Sequence, residues 1–266
     1  MSAPVITFLS DYGLEDDFVG VCHAVIAGIC PGAFVIDLVH WVPRGDVRAG
    51  AVILRGALPY LPVGVHLCVV DPGVGSSRRG VALRAADGRL FVGPDNGLLS
   101  LAVERAGGVV EAVDLFASPF ALSPVSATFH GRDIFAPVAA RLAGGAALGD
   151  AGEACDPGGL VAVELPRPRV EDGVLVAQAL YIDRFGNIQL NVEEDSSFSV
   201  GALVELTAAS GRSQRARCVR TFADAGAGEL LLYVDSYRRL AVAVNGGDAA
   251  TRLGTVVDDE IRIRLP

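Results

Sequence analysis

The sequence predicts an α/β protein: an N-terminal, mostly parallel sheet with flanking helices, followed by a C-terminal all-β, barrel-like domain. Three observations carry this. Up to Ala143, short apolar runs alternate with stretches of helical apolar spacing, the pattern of crossover units on a parallel sheet. Beyond Gly144 the helical spacing stops and short strand patterns recur, as in small barrels and sandwiches. Among the 266 residues 51% are apolar and 20% charged, enough to build cores and unlike a disordered chain.

The elements follow in order. Val5–Leu9 is a short buried strand, and Phe18–Ile29 has helical spacing with Asp16 and Asp17 placed for its first turn. Phe34–Leu38 is a second strand. Asp46 is suited to cap a helix running to about Leu58. Val65–Val70 is apolar apart from His66 and reads as a strand buried on both faces. Val81–Arg84 and Leu90–Val92 are further strands, Asn96–Ala106 a helix, Val109–Leu115 a strand and Arg132–Ala143 a helix. Gly144–Gly159 is small and turn-rich, and Pro166-Arg167-Pro168 reads as a linker. Strands then follow at Val174–Ile182, Ile188–Asn191, Ala202–Leu206, Ala216–Thr221, Leu230–Val234, Leu240–Val244 and Ile261–Leu265, with a helical turn at Ala249–Leu253. The domains are therefore 1–167 and 168–266.

Composition excludes several functions. Net charge is −9, which disfavours binding to nucleic acid phosphates. All 22 cations are Arg, so a Walker-A lysine, a Schiff-base lysine and a lysine base are absent. No apolar run approaches the ~20 residues of a membrane span, and the N-terminus does not read as a signal peptide. The five Cys are odd in number and show no CxxC spacing, so neither disulfides nor structural zinc is expected; a reducing, cytoplasmic compartment is. Without Cys partners or HExxH spacing, His130 and the other histidines (His23, His40 and His66) do not suggest a metal site.

In open α/β sheets ligands gather at the carboxyl ends of strands. The residues that follow strands here are Asp11 and Asp16 after the first, Asp71 to Arg79 after the third, and Gly93-Pro94-Asp95-Asn96-Gly97 after the strand at Leu90. His130 precedes the last helix of this half, and Asp183-Arg184-Phe185-Gly186-Asn187 stands out in the second. Each has an ordinary reading: Asp11 and Asp71-Pro72-Gly73 are good turn residues, and Arg132 and Asp133 suit a helix start. Gly73-Val74-Gly75-Ser76-Ser77-Arg78 resembles a phosphate cradle but lacks Walker-A spacing. Asp71, Arg78 and His130 together offer a carboxylate, a cation and an imidazole, a set able to orient and deprotonate water. Arg79 competes with Arg78 for the arginine role. The residues alone stop at an α/β enzyme acting on a small polar molecule, hydrolysis being one chemistry open to it.

The ordered series Phe8-Leu9-Ser10-Asp11-Tyr12-Gly13, Val70-Asp71-Pro72-Gly73-Val74-Gly75, Gly93-Pro94-Asp95-Asn96-Gly97-Leu98-Leu99, Phe129-His130-Gly131-Arg132-Asp133 and Asp183-Arg184-Phe185-Gly186-Asn187 resembles the S-adenosyl-L-methionine (SAM) hydroxide adenosyltransferases, or adenosine-forming SAM hydrolases. These are relatives of the fluorinases and chlorinases. The resemblance spans about residues 5–265. It implies hydrolysis of SAM to adenosine and L-methionine by attack of water or hydroxide on ribose C5′. No cofactor or metal is implied, and the expected assembly is a homotrimer with SAM held between the N-terminal domain of one subunit and the C-terminal domain of the next.

The family's catalytic Asp-Arg-His set then falls on Asp71, Arg78 and His130. Asp71 would accept the water's proton, Arg78 would fix Asp71, and His130 would hydrogen-bond the nucleophile and relay the proton. Among substrate contacts, Asp11 would take the ribose hydroxyls, Asp16 and Asp183 the methionine ammonium, and Asn187 the adenine edge. Ser236 and Tyr237 would hold the methionine carboxylate, and the Gly246 carbonyl the adenine amino group. Gly45 stands where relatives carry an aromatic residue, and Trp41 is the nearby candidate to replace it. Two rivals are weighed. The halogenases carry Tyr at the Asp71 position and Tyr-Ser at His130-Gly131, and an ionised Asp71 would repel halide. A non-catalytic SAM sensor would need Asp11, Asp183 and Asn187 but not Asp71, Arg78 and His130.

Overall fold

The computed structural model describes residues 3–194 and 198–264. The chain forms two compact units, Met1–Val163 and Glu164–Pro266.

In the first unit, β1 (Val5–Ser10), α1 (Phe18–Ile29), β2 (Phe34–Val39), α2 (Val47–Ala57), β3 (Val65–Val69), β4 (Gly80–Ala85), β5 (Leu90–Pro94), α3 (Ser100–Arg105), β6 (Val109–Asp114), α4 (Ala136–Ala143) and β7 (Glu153–Ala154) follow one another. The sheet order is β2-β1-β3-β5-β4-β6-β7. The first four strands are parallel neighbours, and the remaining pairings are antiparallel. The parallel sheet expected from the sequence thus occupies one half, with an antiparallel extension beside it. The change occurs where β4 and β5 join through a tight turn at Asp87-Gly88, too short for a crossover helix.

β3 sits inside the parallel half and is buried along its length. One face, with Ile6, Phe8, Leu67 and Val69, packs into a core with Val19, Cys22 and Ile26 of α1 and Val138 and Ala139 of α4. The alternation of strand side chains sends these residues to one layer. Asp46 caps α2 as expected, its Oδ1 accepting from Ala49 N at 2.8 Å.

Several boundaries differ from the sequence reading. The helix expected from Asn96 begins only at Ser100. Gly97 has φ +97°, and the Asn96 side chain bonds Val70 O and Leu98 N, so residues 96–99 make a turn. The helix expected from Arg132 begins as a π-turn, Gly131–Phe135. There the Asp133 carboxylate accepts from Ser126 N at 2.8 Å and its carbonyl from Leu122 N at 2.8 Å, tying the turn to the preceding loop. β7 lies in a segment read as turn; at two residues it carries no alternation to detect.

The second unit contains β8 (Arg169–Glu171), β9 (Val174–Ile182), β10 (Ile188–Glu193), β11 (Leu203–Ala208), β12 (Ser213–Cys218), β13 (Leu230–Val234), β14 (Arg239–Val244), α5 (Ala249–Leu253) and β15 (Glu260–Arg264). The order β10-β14-β13-β12-β11-β15-β9 closes through the β9–β10 pairing into a seven-stranded barrel, with β8 added outside β9. The barrel expectation is met. Closure removes the free edges that an open sheet would expose. Leu190, Val204, Leu206, Leu232, Val242 and Ile263 fill its core, joined by Ala249 and Leu253 of α5. The strand expected at Ala216–Thr221 lies earlier, at Ser213–Cys218, because Thr221 turns away to cap the short helix Phe222–Asp224. The last strand expected to end at Leu265 is described to Arg264; Leu265 lies outside the described residues.

Candidate active site

The parallel register brings loops of distant sequence to one sheet edge. Ser10 is paired with Val69, so Asp11 and Asp71 follow the carboxyl ends of adjacent strands. β5 is the next strand over and ends in Pro94, ahead of Asp95 and Asn96.

Asp71, Arg78 and His130 converge here. Arg78 Nε donates to Asp71 Oδ1 at 2.8 Å, and Arg78 Nη2 donates to Asp71 Oδ2. The same Nη2 lies 3.0 Å from His130 Nδ1. The Asp71 and Arg78 side chains are 6% and 12% exposed, so the two-pronged pair is shielded from water. The Arg78 guanidinium also lies over the Phe135 ring, 5.2 Å from its centroid. A guanidinium can only donate, so His130 Nδ1 presents its lone pair and the neutral ring carries its proton on Nε2. Burial, and then the Arg78 charge, push the His130 pKa below the usual histidine value despite Asp71 and Asp133.

Local sequence explains the convergence. The loop after Asp71 folds on itself, with Ser76 Oγ donating to Gly73 O at 2.6 Å and Arg78 N donating to Ser76 Oγ at 3.2 Å. Gly75 has φ +77°, and a β-carbon there would fall 2.6 Å from Ala127 O. Only glycine lets this loop approach the segment that leads to His130. Asn96 Nδ2 donates to Val70 O at 2.9 Å, steadying the residue before Asp71. Sequence reasoning gave Asn96 and Phe135 no role. The Gly93–Gly97 motif was the available signal for the first, and nothing in the sequence marked the second. Arg79, the alternative arginine, turns elsewhere: its Nη2 bonds Asp95 Oδ2 and Gly159 O, each at 2.6 Å.

Asp11 Oδ2 accepts from Gly45 N at 2.8 Å, so Gly45 holds Asp11 through its backbone. Trp41 is 58% exposed and its ring stands beside Gly13. Asp16 lies on the exposed loop before α1. Ser10, buried behind the site, bonds His40 Nδ1 at 2.7 Å, and His40 Nε2 bonds Asp37 at 3.0 Å. His23 also bonds Asp37, and His66 bonds Thr7, so these three histidines have structural partners. A cavity of about 740 Å³ is walled by Ser76, Ser77, Arg78, Ser118, Ser126 and His130, but not by Asp71 or Asp11.

The remaining predicted residues lie in the second unit. Asp183 Oδ1 accepts from Phe185 N (2.8 Å) and Asn187 N (3.0 Å), and its Oδ2 from Asn187 Nδ2 (2.8 Å). Among the described residues this leaves Asn187 Oδ1 as the free polar end of that side chain. Ser236 and Tyr237 are exposed in the β13–β14 turn, which Asp235 shapes by accepting from Tyr237 N and Arg239 N. Gly246 is exposed, with φ +72°. Among the described residues, no three His, Cys, Asp or Glu side chains gather as a metal site would require.

These features define a class: an α/β unit and a β-barrel unit in one chain, with a carboxylate–guanidinium–imidazole set at the sheet edge suited to orienting water. Comparison with known proteins narrows it. Residues 6–152 match the model of the SAM hydroxide adenosyltransferase N-terminal domain, and residues 177–262 that of the C-terminal domain. The chain belongs to the SAM hydroxide adenosyltransferase family. It is 52% identical over 262 residues to an (R)-S-adenosyl-L-methionine hydrolase of Salinispora tropica, covering 98% of this chain and 97% of that one. A protein of the same name from Salinispora arenicola is 50% identical over 264 residues, covering 98% of each. The crystal structure of an uncharacterized conserved protein from Thermotoga maritima superposes with TM-score 0.91 at 36% identity, covering 97% and 99% of the two chains.

Proposed function

We propose that this protein hydrolyses SAM to adenosine and L-methionine, with water or hydroxide attacking ribose C5′. The observation that carries the reading is the shielded Asp71 carboxylate, gripped by both prongs of Arg78 while the same guanidinium engages His130. Relatives at 52% and 50% identity carry the corresponding hydrolase name.

The water oxygen forms the new bond to C5′ as the C5′–S bond breaks, and that electron pair leaves with sulfur as neutral methionine thioether. Sulfonium is a good leaving group, so the reaction calls for no acid at sulfur and no metal or cofactor. Alignment of nucleophile, C5′ and sulfur lowers the barrier by about 7–11 kcal/mol in well-oriented systems. Asp71 takes the water's proton. With its Nδ1 lone pair facing Arg78, His130 donates from Nε2 and steadies the nucleophile oxygen. The cavity beside Arg78 and His130 offers solvent a way to this set. The proton released per turnover ends in water.

In this reading Asp11 takes the ribose hydroxyls, Asp16 and Asp183 the ammonium, Asn187 Oδ1 and the Gly246 carbonyl the adenine amino group, and Ser236 and Tyr237 the carboxylate. These residues are divided between the two units; in this reading the active form is the homotrimer expected from the family resemblance, with neighbouring subunits completing each site, and sedimentation would measure it. A cytoplasmic location agrees with five free cysteines. Among the described residues no helix is long and apolar enough to cross a membrane.

Incubation with SAM in ¹⁸O-labelled water tests the function. Label is expected in the adenosine 5′-hydroxyl and none in methionine. Absence of adenosine, or unlabelled adenosine, would refute it.

A further inference from the structure

The phenol of Tyr12 lies inside the active-site loops yet serves no structural hydrogen bond. Among the described residues nothing donates to or accepts from its hydroxyl; only its backbone N–H is engaged, by Ser10 Oγ at 3.3 Å. The oxygen is nevertheless not fully sealed from solvent. Its position is specific. The hydroxyl packs against Gly131, so closely that any β-carbon there would collide with it, and Gly131 directly follows His130. Three aromatic rings set the phenol's direction: Phe129 edge-on at 5.7 Å, Phe18 at 5.7 Å and Phe8 at 6.4 Å. Tyr12 directly follows Asp11, at the end of the strand whose register sets it beside the strand leading to Asp71. Burial first, then Cys22, Asp11 and Asp71, outweigh the opposing Arg78 charge and hold its pKa well above the ordinary tyrosine value, so the group stays a neutral O–H donor.

An oriented, unpartnered donor in a largely buried site is costly unless a ligand completes it. We infer that Tyr12 is a further catalytic residue, its O–H donating a hydrogen bond to the oxygen of the attacking water. The chemistry closes. As Asp71 takes one hydrogen, the emerging hydroxide has three electron pairs: one accepts from His130 Nε2, one accepts from Tyr12, and the pair freed from the broken O–H bond forms the bond to C5′. Tyr12 neither gains nor loses a proton. The inference rests on the hydrolytic reading above and adds to it a second donor to the nucleophile, next to His130. It also accounts for glycine at 131, since the phenol occupies the volume that a side chain there would need.

The test is Tyr12→Phe, which keeps the ring and its three aromatic neighbours and removes only the oxygen. One hydrogen bond to the nucleophile corresponds to about a tenfold change in rate. We expect kcat for adenosine release to fall about tenfold, KM for SAM to stay within twofold, and the melting temperature to be unchanged or raised, because no structural hydrogen bond is lost. A purely structural tyrosine would lower the melting temperature and leave kcat alone; a tyrosine bound to ribose would raise KM instead. Either result, or a kcat within twofold of wild type, overturns the inference. A wild-type protein that releases no adenosine would instead refute the hydrolytic reading, which separates the two failures.

Discussion

Replacing Asp71 with Asn changes one oxygen for an amide and leaves the shape of the site nearly intact. The structure says what is lost. Arg78 Nε still finds an acceptor in the amide oxygen, but Nη2 now faces an amide N–H₂ or must turn away. With side chains only 6% and 12% exposed, the mismatch is not repaired by bulk water. A lost hydrogen bond of this kind costs about 1–3 kcal/mol of stability, within the ~5–15 kcal/mol of an ordinary domain, so the variant folds. The chemical loss is larger. The amide cannot accept the water's proton, and positioned general bases contribute about 100- to 10,000-fold, or about 3–5 kcal/mol of barrier. The assay is chromatographic quantification of adenosine under saturating SAM, with calorimetry measuring SAM affinity separately. We expect kcat to fall by at least 100-fold with the dissociation constant within a few-fold of wild type. An Asp71→Asn protein that releases adenosine at a third or more of the wild-type rate would refute the role of the carboxylate as base.

Three further outcomes follow from the geometry. Asp11→Ala should weaken SAM binding by about 100-fold, through loss of charge-assisted hydrogen bonds to ribose, with kcat at saturation much less affected; an unchanged dissociation constant in calorimetry would contradict this. Arg79→Met removes the charged partner of the buried Asp95 carboxylate, leaving only Val161 N donating to it, and no group near the reacting atoms, so thermal unfolding should shift down by about 1–3 kcal/mol of stability while kcat stays at the wild-type value. Burial, aided by Arg89, lowers the pKa of His66 to about 4. Its neutral form therefore stabilises the fold above the unfolded-state value of about 6.5, and that contribution is lost as pH falls from there through about 4. The loss amounts to about 3 kcal/mol, and His66→Phe, measured by urea unfolding at pH 7 and pH 4, should lose correspondingly less stability on acidification.

Much of this protein was legible along the chain because the relevant physics is local. Apolar periodicity marks α1, the apolar run broken only by His66 marks β3, and Asp46 announces α2 by the hydrogen bond its side chain accepts from Ala49 N. The ordered motifs around Asp11, Asp71, Gly93, His130 and Asp183 suffice to identify the family, since each supplies loop residues whose type is dictated by chemistry. What the chain order does not contain is which loops meet. The register pairing Ser10 with Val69 places Asp11 beside Asp71, and the close approach at Gly75 carries the Arg78 loop to the segment before His130. Arg78 and Arg79 are adjacent and chemically identical; only folding turns one onto Asp71 and His130 and the other onto Asp95 and Gly159. Short edge strands such as β7 and the π-turn after His130 were equally invisible, for the same reason: their backbone is held by partners distant in sequence, not by any periodicity of their own. Residue types thus determined which chemistry the protein carries, and tertiary contacts decided which copy of each residue performs it.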